Sequence, residues 1–332
     1  MKTLWLILIV LVAIAVLILA LTYPGYQSEM QAARDGLLLN SEIMHTDLGD
    51  IEYSMKGEGS PILLLHGAGG GYDQGLWLGK VSLGDGYKFI SVSRFGYLRS
   101  PVPENASIKK QVALYLALLD NLNIERVLVV AGSAGGPSAL QFVHEYPDRC
   151  SALILFSARS MFQAPGDKEM FYVNIIHLIQ QSDFAYWLFA KFFQSVILEL
   201  MGIPTEVYKS FTPEQKELAQ EMLDMMHPMS QRYKGTIHDG EMVLLDSVSM
   251  SEISAPILII HSKDDALVSY EHAEYVHKNI KQSKLILFDT GGHVMLSQMN
   301  EVRQYVKTFL RDILKSNTSI LFYSETKIVP LY

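Results

Sequence analysis

Cysteine is almost absent: Cys150 is the single thiol in 332 residues. That excludes an intrachain disulfide framework and any metal site built from several thiolates. Cys150 follows Asp148-Arg149 just before an apolar run, the setting of a buried structural thiol. No stripe of lysine or arginine occurs, and the formal net charge is −8, which argues against a nucleic-acid partner. The glycine-rich stretch at 66–71 is not followed by Gly-Lys-Ser/Thr, so a P-loop is excluded. No nucleotide motif or metal-ligand cluster is visible, so no cofactor is expected. Nothing points to an obligate protein partner. What is abundant is apolar sequence, 49% of the chain, enough for a large core in one domain or two.

Residues Leu4 to Leu21 form an uninterrupted apolar run, long enough to span a bilayer as a helix. It exceeds the 7–15 residues of a signal-peptide core, and no clear small-x-small cleavage site follows; Ala20-Leu21-Thr22 comes nearest. Lys2 lies on one flank and the interfacial aromatics Tyr23 and Tyr26 on the other. The expectation is a transmembrane signal anchor over 1–22, single-pass, with the rest of the chain on the non-cytoplasmic side. Residues 23–44 read as a stalk or packing helix. A hairpin is expected over 42–55, turning at Leu48-Gly49-Asp50.

The chain is organised around Val127-Leu128-Val129-Val130-Ala131-Gly132-Ser133-Ala134-Gly135-Gly136-Pro137. A β-branched apolar strand breaks at Ser133 and runs straight into a helix, where Pro137 suits the first turn. Such a turn lifts the serine above the sheet edge, as in the G-x-S-x-G nucleophile elbow. Ala131 stands where the first glycine is usual, and Gly132 and Gly135 flank the turn. Taken alone, the stretch also fits a tight strand–helix turn with an idle serine.

This chain resembles the α/β-hydrolase fold family over residues 45–315. The resemblance implies a mostly parallel central sheet flanked by helices, with core segments 45–158 and 251–315. The strand Ile62–Leu65 is followed by His66-Gly67-Ala68-Gly69-Gly70-Gly71. A carbonyl under attack develops negative charge on oxygen, so backbone donors must already be aimed there. By similarity to the family's H-G-x-G loop, the Ala68 and Ala134 N–H groups would form the oxyanion hole, with Gly67 and Gly69 shaping it. His66 and Arg94 would be structural.

After the strand Ala152–Phe156 the sequence reads Ser157-Ala158-Arg159-Ser160, without a carboxylate, so an acid must come later. Residues 159–250 leave the strand–helix alternation and are rich in aromatics and methionine, among them Phe171-Tyr172, Phe184, Trp187, Phe192-Phe193, Met222 and Met225-Met226. Their position resembles the family's helical cap. Most must form the cap's own core; some would line a lipophilic cavity. The Phe184–Met201 segment could also rest on a bilayer.

The strand Ala255–Ile260 leads to His261-Ser262-Lys263-Asp264-Asp265-Ala266-Leu267-Val268. This is similar to the family's acid loop and puts Asp265 in the acid position, three residues before Val268. Two solvated loop aspartates would be the plain alternative. The strand Lys284–Phe288 is followed by Asp289-Thr290-Gly291-Gly292-His293, similar to the family's histidine loop. A closing helix is expected over 301–314, and the tail 316–332 holds an apolar stretch at Ser319–Tyr323 that reads as a stray strand.

Ser133, Asp265 and His293 stand in the Ser…Asp…His chain order of these hydrolases, each just beyond a strand. The resemblance implies a serine hydrolase without cofactor, acting through an acyl-enzyme on a lipophilic carboxylic ester. Hydrolysis of a C–C, lactone or amide bond with the same triad, or a silent ligand-binding member, are the alternatives.

Overall fold

The computed structural model describes residues 2–160, 178–242 and 248–325; several side chains within 2–20 and beyond 313 also lie outside the described residues. Eight strands form one sheet: β1 (Glu42–Thr46), β2 (Gly49–Lys56), β3 (Ser60–Leu65), β4 (Tyr87–Val92), β5 (Val127–Gly132), β6 (Cys150–Phe156), β7 (Ile257–Ser262) and β8 (Ser283–Phe288). Their order is β1-β2-β4-β3-β5-β6-β7-β8. The β1–β2 and β2–β4 pairs are antiparallel, and every later pair is parallel. The hairpin expected at 42–55 is therefore present. Thr46 Oγ1 secures its turn, donating to Gly49 O at 2.8 Å and accepting from Leu48 N at 3.1 Å.

The described helices, in chain order, are α1 (Lys2–Leu39), α2 (Tyr72–Leu83), α3 (Ile108–Asn121), α4 (Gly136–Glu145), α5 (Asp183–Phe192) and α6 (Gln194–Leu200). They continue as α7 (Thr205–Lys209), α8 (Pro213–Met225), α9 (Tyr233–Glu241), α10 (Glu271–Asn279) and α11 (Met299–Glu325). Strand side chains alternate between two packed layers. Leu63, Leu65 and Val129 pack with α3, α4 and α10 through Val112, Leu140 and Val276. Ile62, Leu64 and Val130 pack with α2 and α11 through Val81 and Val306.

The described part of the insertion after β6, residues 178–242, is helical, as the composition of 159–250 predicts. Its buried Tyr186, Leu198, Met222, Met226 and Met229 join the α2–α11 layer, so the methionine and aromatic richness serves packing. A Thr212–Gln215 capping box with Pro213 in the first turn starts α8. Phe171 and Tyr172 lie outside the described residues.

Two expectations need revision. The stalk read over 23–44 ends at Leu39, continuous with the apolar run in α1, and β1 begins at Glu42. The stray strand read at 319–323 is instead the last part of α11. No glycine or proline interrupts residues 299–325, so a helix already nucleated on the core propagates through them. Among the described residues no helix is long and apolar enough to cross a membrane. The anchor expected at 1–22 falls in part on side chains outside the described residues.

Candidate active site

The parallel strands bring three loops to the C-terminal edge of the sheet, where ligands of open α/β sheets bind. Ser133 directly follows β5, Asp265 lies three residues beyond β7, and His293 five beyond β8. Ser133 has φ +49°, a left-handed backbone that a serine adopts only under local constraint. Gly132 closes β5 in extended conformation, and the chain turns through Ser133–Gly135 into α4.

The tight contacts of this turn explain why Ala131 is tolerated. A Cβ at Gly135 would lie 2.6 Å from Leu65 O and 2.8 Å from His66 O. The close approach thus falls at the glycine after the serine, while Ala131 sits buried within β5 beside Leu65 and Leu155.

The glycine-rich loop abuts the turn: a Cβ at Gly67 would come 3.0 Å from Ser133 Cβ. Gly67 N–H donates to Gln74 Oε1 at 2.9 Å and Gly69 N–H to Thr236 Oγ1 at 3.2 Å, which spends those two donors on holding the loop. The half-buried Ala68 and Ala134 N–H groups donate to no protein acceptor among the described residues. They are the donors left for a ligand oxygen.

His66 is structural, as expected. Its Nδ1–H donates to Gly67 O at 2.7 Å, and its Nε2 accepts from Arg94 N–H at 3.0 Å. Full burial and the Arg94 charge hold it well below the ordinary histidine range, so it is neutral. Arg94 in turn makes a bidentate pair with Asp239, at 2.5 and 2.6 Å.

Asp265 is the hub of the acid loop. Its Oδ1 accepts from the N–H groups of Leu267 at 2.9 Å and Val268 at 3.0 Å. Its Oδ2 accepts from His293 Nδ1 at 2.7 Å and from His261 Nε2 at 3.0 Å. Burial opposes ionisation, but the charge and hydrogen bonds of His293 and His261 prevail and hold the carboxyl well below the usual carboxylate range. Asp264 has a different task. Its two oxygens accept from Gly291 N–H at 3.2 Å and Gly292 N–H at 2.9 Å, fixing the histidine loop.

A cap residue completes the scaffold. Gly202 O accepts from Ala266 N–H at 3.2 Å and from His293 N–H at 3.1 Å, tying the acid loop to the histidine loop. Gly202 has φ +84°, and a Cβ there would lie 2.6 Å from Leu267 Cβ. Gly202, His261, Gln74 and Thr236 are site residues that sequence reasoning did not select. The spacing of His261 to Asp265 was the single available signal.

Among the described hydrogen bonds, those of His293 run to Asp265 and Gly202, and Ser133 Oγ joins neither. Catalytic hydrogen bonds in ligand-free enzymes are often long and close on substrate. A groove of about 740 Å³ opens between α1, α2 and α8, lined by Leu37, Tyr72, Trp77 and Met225, and away from the three loops.

Known proteins resemble this chain over most of its length. An uncharacterized hydrolase of Bacillus subtilis, YcgS, is 29% identical over 272 residues, covering 76% of this chain and 92% of its own length. A 2-hydroxy-6-oxo-6-phenylhexa-2,4-dienoate hydrolase of Comamonas testosteroni is 27% identical over 290 residues, covering 82% and 95%. The solved α/β-hydrolase fold protein of Nakamurella multipartita superposes with a TM-score of 0.70 at 25% identity, over 82% of this chain and 99% of that one. The alpha/beta hydrolase fold profile matches residues 60–298, and the chain belongs to that family.

Proposed function

We propose that this hydrolase cleaves a lipophilic carboxylic ester, with Ser133 as nucleophile, His293 as general base and Asp265 as its orienting acid. The observation that carries the reading is the 2.7 Å contact of His293 Nδ1 with buried Asp265 Oδ2, on loops that leave the same sheet edge as Ser133, held at φ +49°. Asp265 fixes the tautomer with Nδ1 protonated, which leaves His293 Nε2 to accept the Ser133 proton. Ser133 Oγ then attacks the ester carbonyl. The Ala68 and Ala134 N–H groups receive the oxyanion, each such donor being worth roughly 3 kcal/mol in systems of this kind. His293 passes the proton to the leaving alcohol, and a water deprotonated by His293 releases the acyl group.

The apolar run Leu4–Leu21 supports placing the chain on a membrane as a single-pass protein, with the hydrolase domain on the non-cytoplasmic side. A membrane site and an aromatic cap both favour a lipophilic substrate. The test is hydrolysis of p-nitrophenyl esters of increasing acyl length beside Ser133→Ala. Activity that rises with chain length and vanishes in the variant supports the reading. The C. testosteroni relative favours one alternative, C–C cleavage of a dienoate by the same triad. Turnover of such a dienoate with no ester turnover would replace the ester reading.

A further inference from the structure

An aromatic strip links the end of the apolar run to the outer edge of the cap. Tyr23 and Tyr26 on α1 pack at 5.6 Å between ring centroids, and Phe184 on α5 lies 5.1 Å from Tyr26. Trp187 continues the strip at 5.7 Å from Tyr26, and Phe192 follows at 5.9 Å from Trp187. Beside it, Phe189 meets Phe193 at 5.6 Å. The strip is closed only in its middle, at Trp187, and open at both ends: Tyr23 is 44% exposed, and Phe192, Phe193 and Val196 are 54%, 49% and 44% exposed.

This edge is rigid. Glu29 on α1 accepts from Trp187 Nε1 at 2.7 Å and pairs with Lys191, whose ammonium also lies 5.6 Å from the Trp187 ring centroid. Arg34 reaches Asp183 at 3.3 Å, and Asp183 accepts from Ser230 N–H at 2.7 Å. The cap edge therefore keeps a fixed height along α1. With α1 near the bilayer normal, Tyr23 and Tyr26 lie about 3 and 8 Å beyond Leu21. The headgroup layer is about 5–8 Å thick on each side of the hydrocarbon, so both rings, and Phe184 packed on them, fall at its depth.

We propose that Phe192, Phe193 and Val196 form a second membrane-contact surface, seating the cap on the headgroup layer of the bilayer that α1 enters. The inference rests on the membrane reading of residues 4–21. A lipophilic substrate leaving the bilayer would then meet the cap before it meets water. Aromatic rings with a half-exposed edge suit that interface, where one side is apolar and the other wet. Lys191 extends past the Trp187 face with its charge toward the polar side.

The test uses the full chain in phosphatidylcholine–phosphatidylglycerol vesicles. Cys150 is buried, so a cysteine introduced at the surface becomes the reactive thiol for an environment-sensitive fluorophore. Phe193→Cys and Val196→Cys report on the cap edge, Leu17→Cys on the anchor, and Tyr275→Cys on α10 across the sheet. We expect brominated lipid to quench positions 17, 193 and 196 severalfold more than 275. Quenching at 17, with 193 and 196 no different from 275, overturns the inference and leaves the anchor intact. No quenching anywhere overturns both. A concentration-dependent emission shift at 193 without lipid quenching means a second copy covers the face, which also overturns it.

Discussion

His261 Nε2 and His293 Nδ1 lie 3.0 and 2.7 Å from the same oxygen, Asp265 Oδ2. His261 Nε2 also lies 3.0 Å from Val268 O, and since both of its neighbours are acceptors it carries the proton. Its Nδ1 is buried without a partner among the described residues. His261 is thus a second, fixed donor that helps keep Asp265 ionised.

Replacing that donor should therefore narrow the working pH range. In His261→Leu, Asp265 loses one of the groups that hold its carboxyl down, so activity should fail at a higher pH on the acid side. His261→Gln, which can present an N–H from a similar place, should restore most of the wild-type profile. Rates measured from pH 4 to 8 check this; identical acid limbs in all three proteins would refute it.

Gly202→Ala tests whether the cap holds the two loops in register. The added Cβ meets Leu267 Cβ at 2.6 Å and His293 Cβ at 3.1 Å, at a backbone position with φ +84°. A shift of about 1 Å in a catalytic group costs on the order of a hundredfold in rate. We expect kcat to fall at least tenfold while the far-ultraviolet circular dichroism is unchanged. By the same argument, deleting the cap removes the carbonyl that joins Ala266 to His293 and does not yield an open, active enzyme.

The elbow, the acid and the histidine loops were legible because each is local: an apolar run, then glycines or an aspartate within five residues. The ties that hold the cap were not. Arg232 makes a bidentate pair with Asp73 at 2.9 and 2.6 Å, and Arg94 with Asp239, across 159 and 145 residues. No spacing rule reaches that far: Arg94 read as structural but without a partner, and Arg232 carried no signal of its own. Gly202 was invisible for a related reason, since its carbonyl works through backbone that the side-chain pattern does not describe. Ser319–Tyr323 misled because five apolar and hydroxyl residues fit a strand locally, while the helix that absorbs them starts twenty residues earlier.

Arg232 is fully buried and also donates to Met225 O and His227 O. Arg232→Leu leaves Asp73 and both carbonyls without their donor. Loss of one partner from a buried pair costs roughly 3–5 kcal/mol, so the urea midpoint should drop sharply. An unchanged midpoint would mean the pair does not hold the cap.

Stability should also fall on mild acidification. Burial, then the Arg232 charge, pushes His227 down to about 4, and burial with the Arg94 charge holds His66 well below its ordinary value. Between about pH 6.5 and 4 the unfolded chain binds protons that the folded chain refuses, so stability is full above that window and declines through it. His227 accounts for up to about 2 kcal/mol between pH 7.5 and 5, and His66 acts in the same direction. Urea unfolding at the two pH values, repeated with His227→Gln, measures the share of one of them.

The proposed reaction requires Ser133 to be an activated nucleophile. Its most direct test is labelling by a fluorophosphonate probe, with the modified peptide identified by mass. A single adduct on Ser133 is expected in the wild type, no adduct in Ser133→Ala, and strongly slowed labelling in His293→Ala. A folded wild type that hydrolyses a short ester yet carries no adduct on Ser133, or labels equally fast without His293, would contradict it.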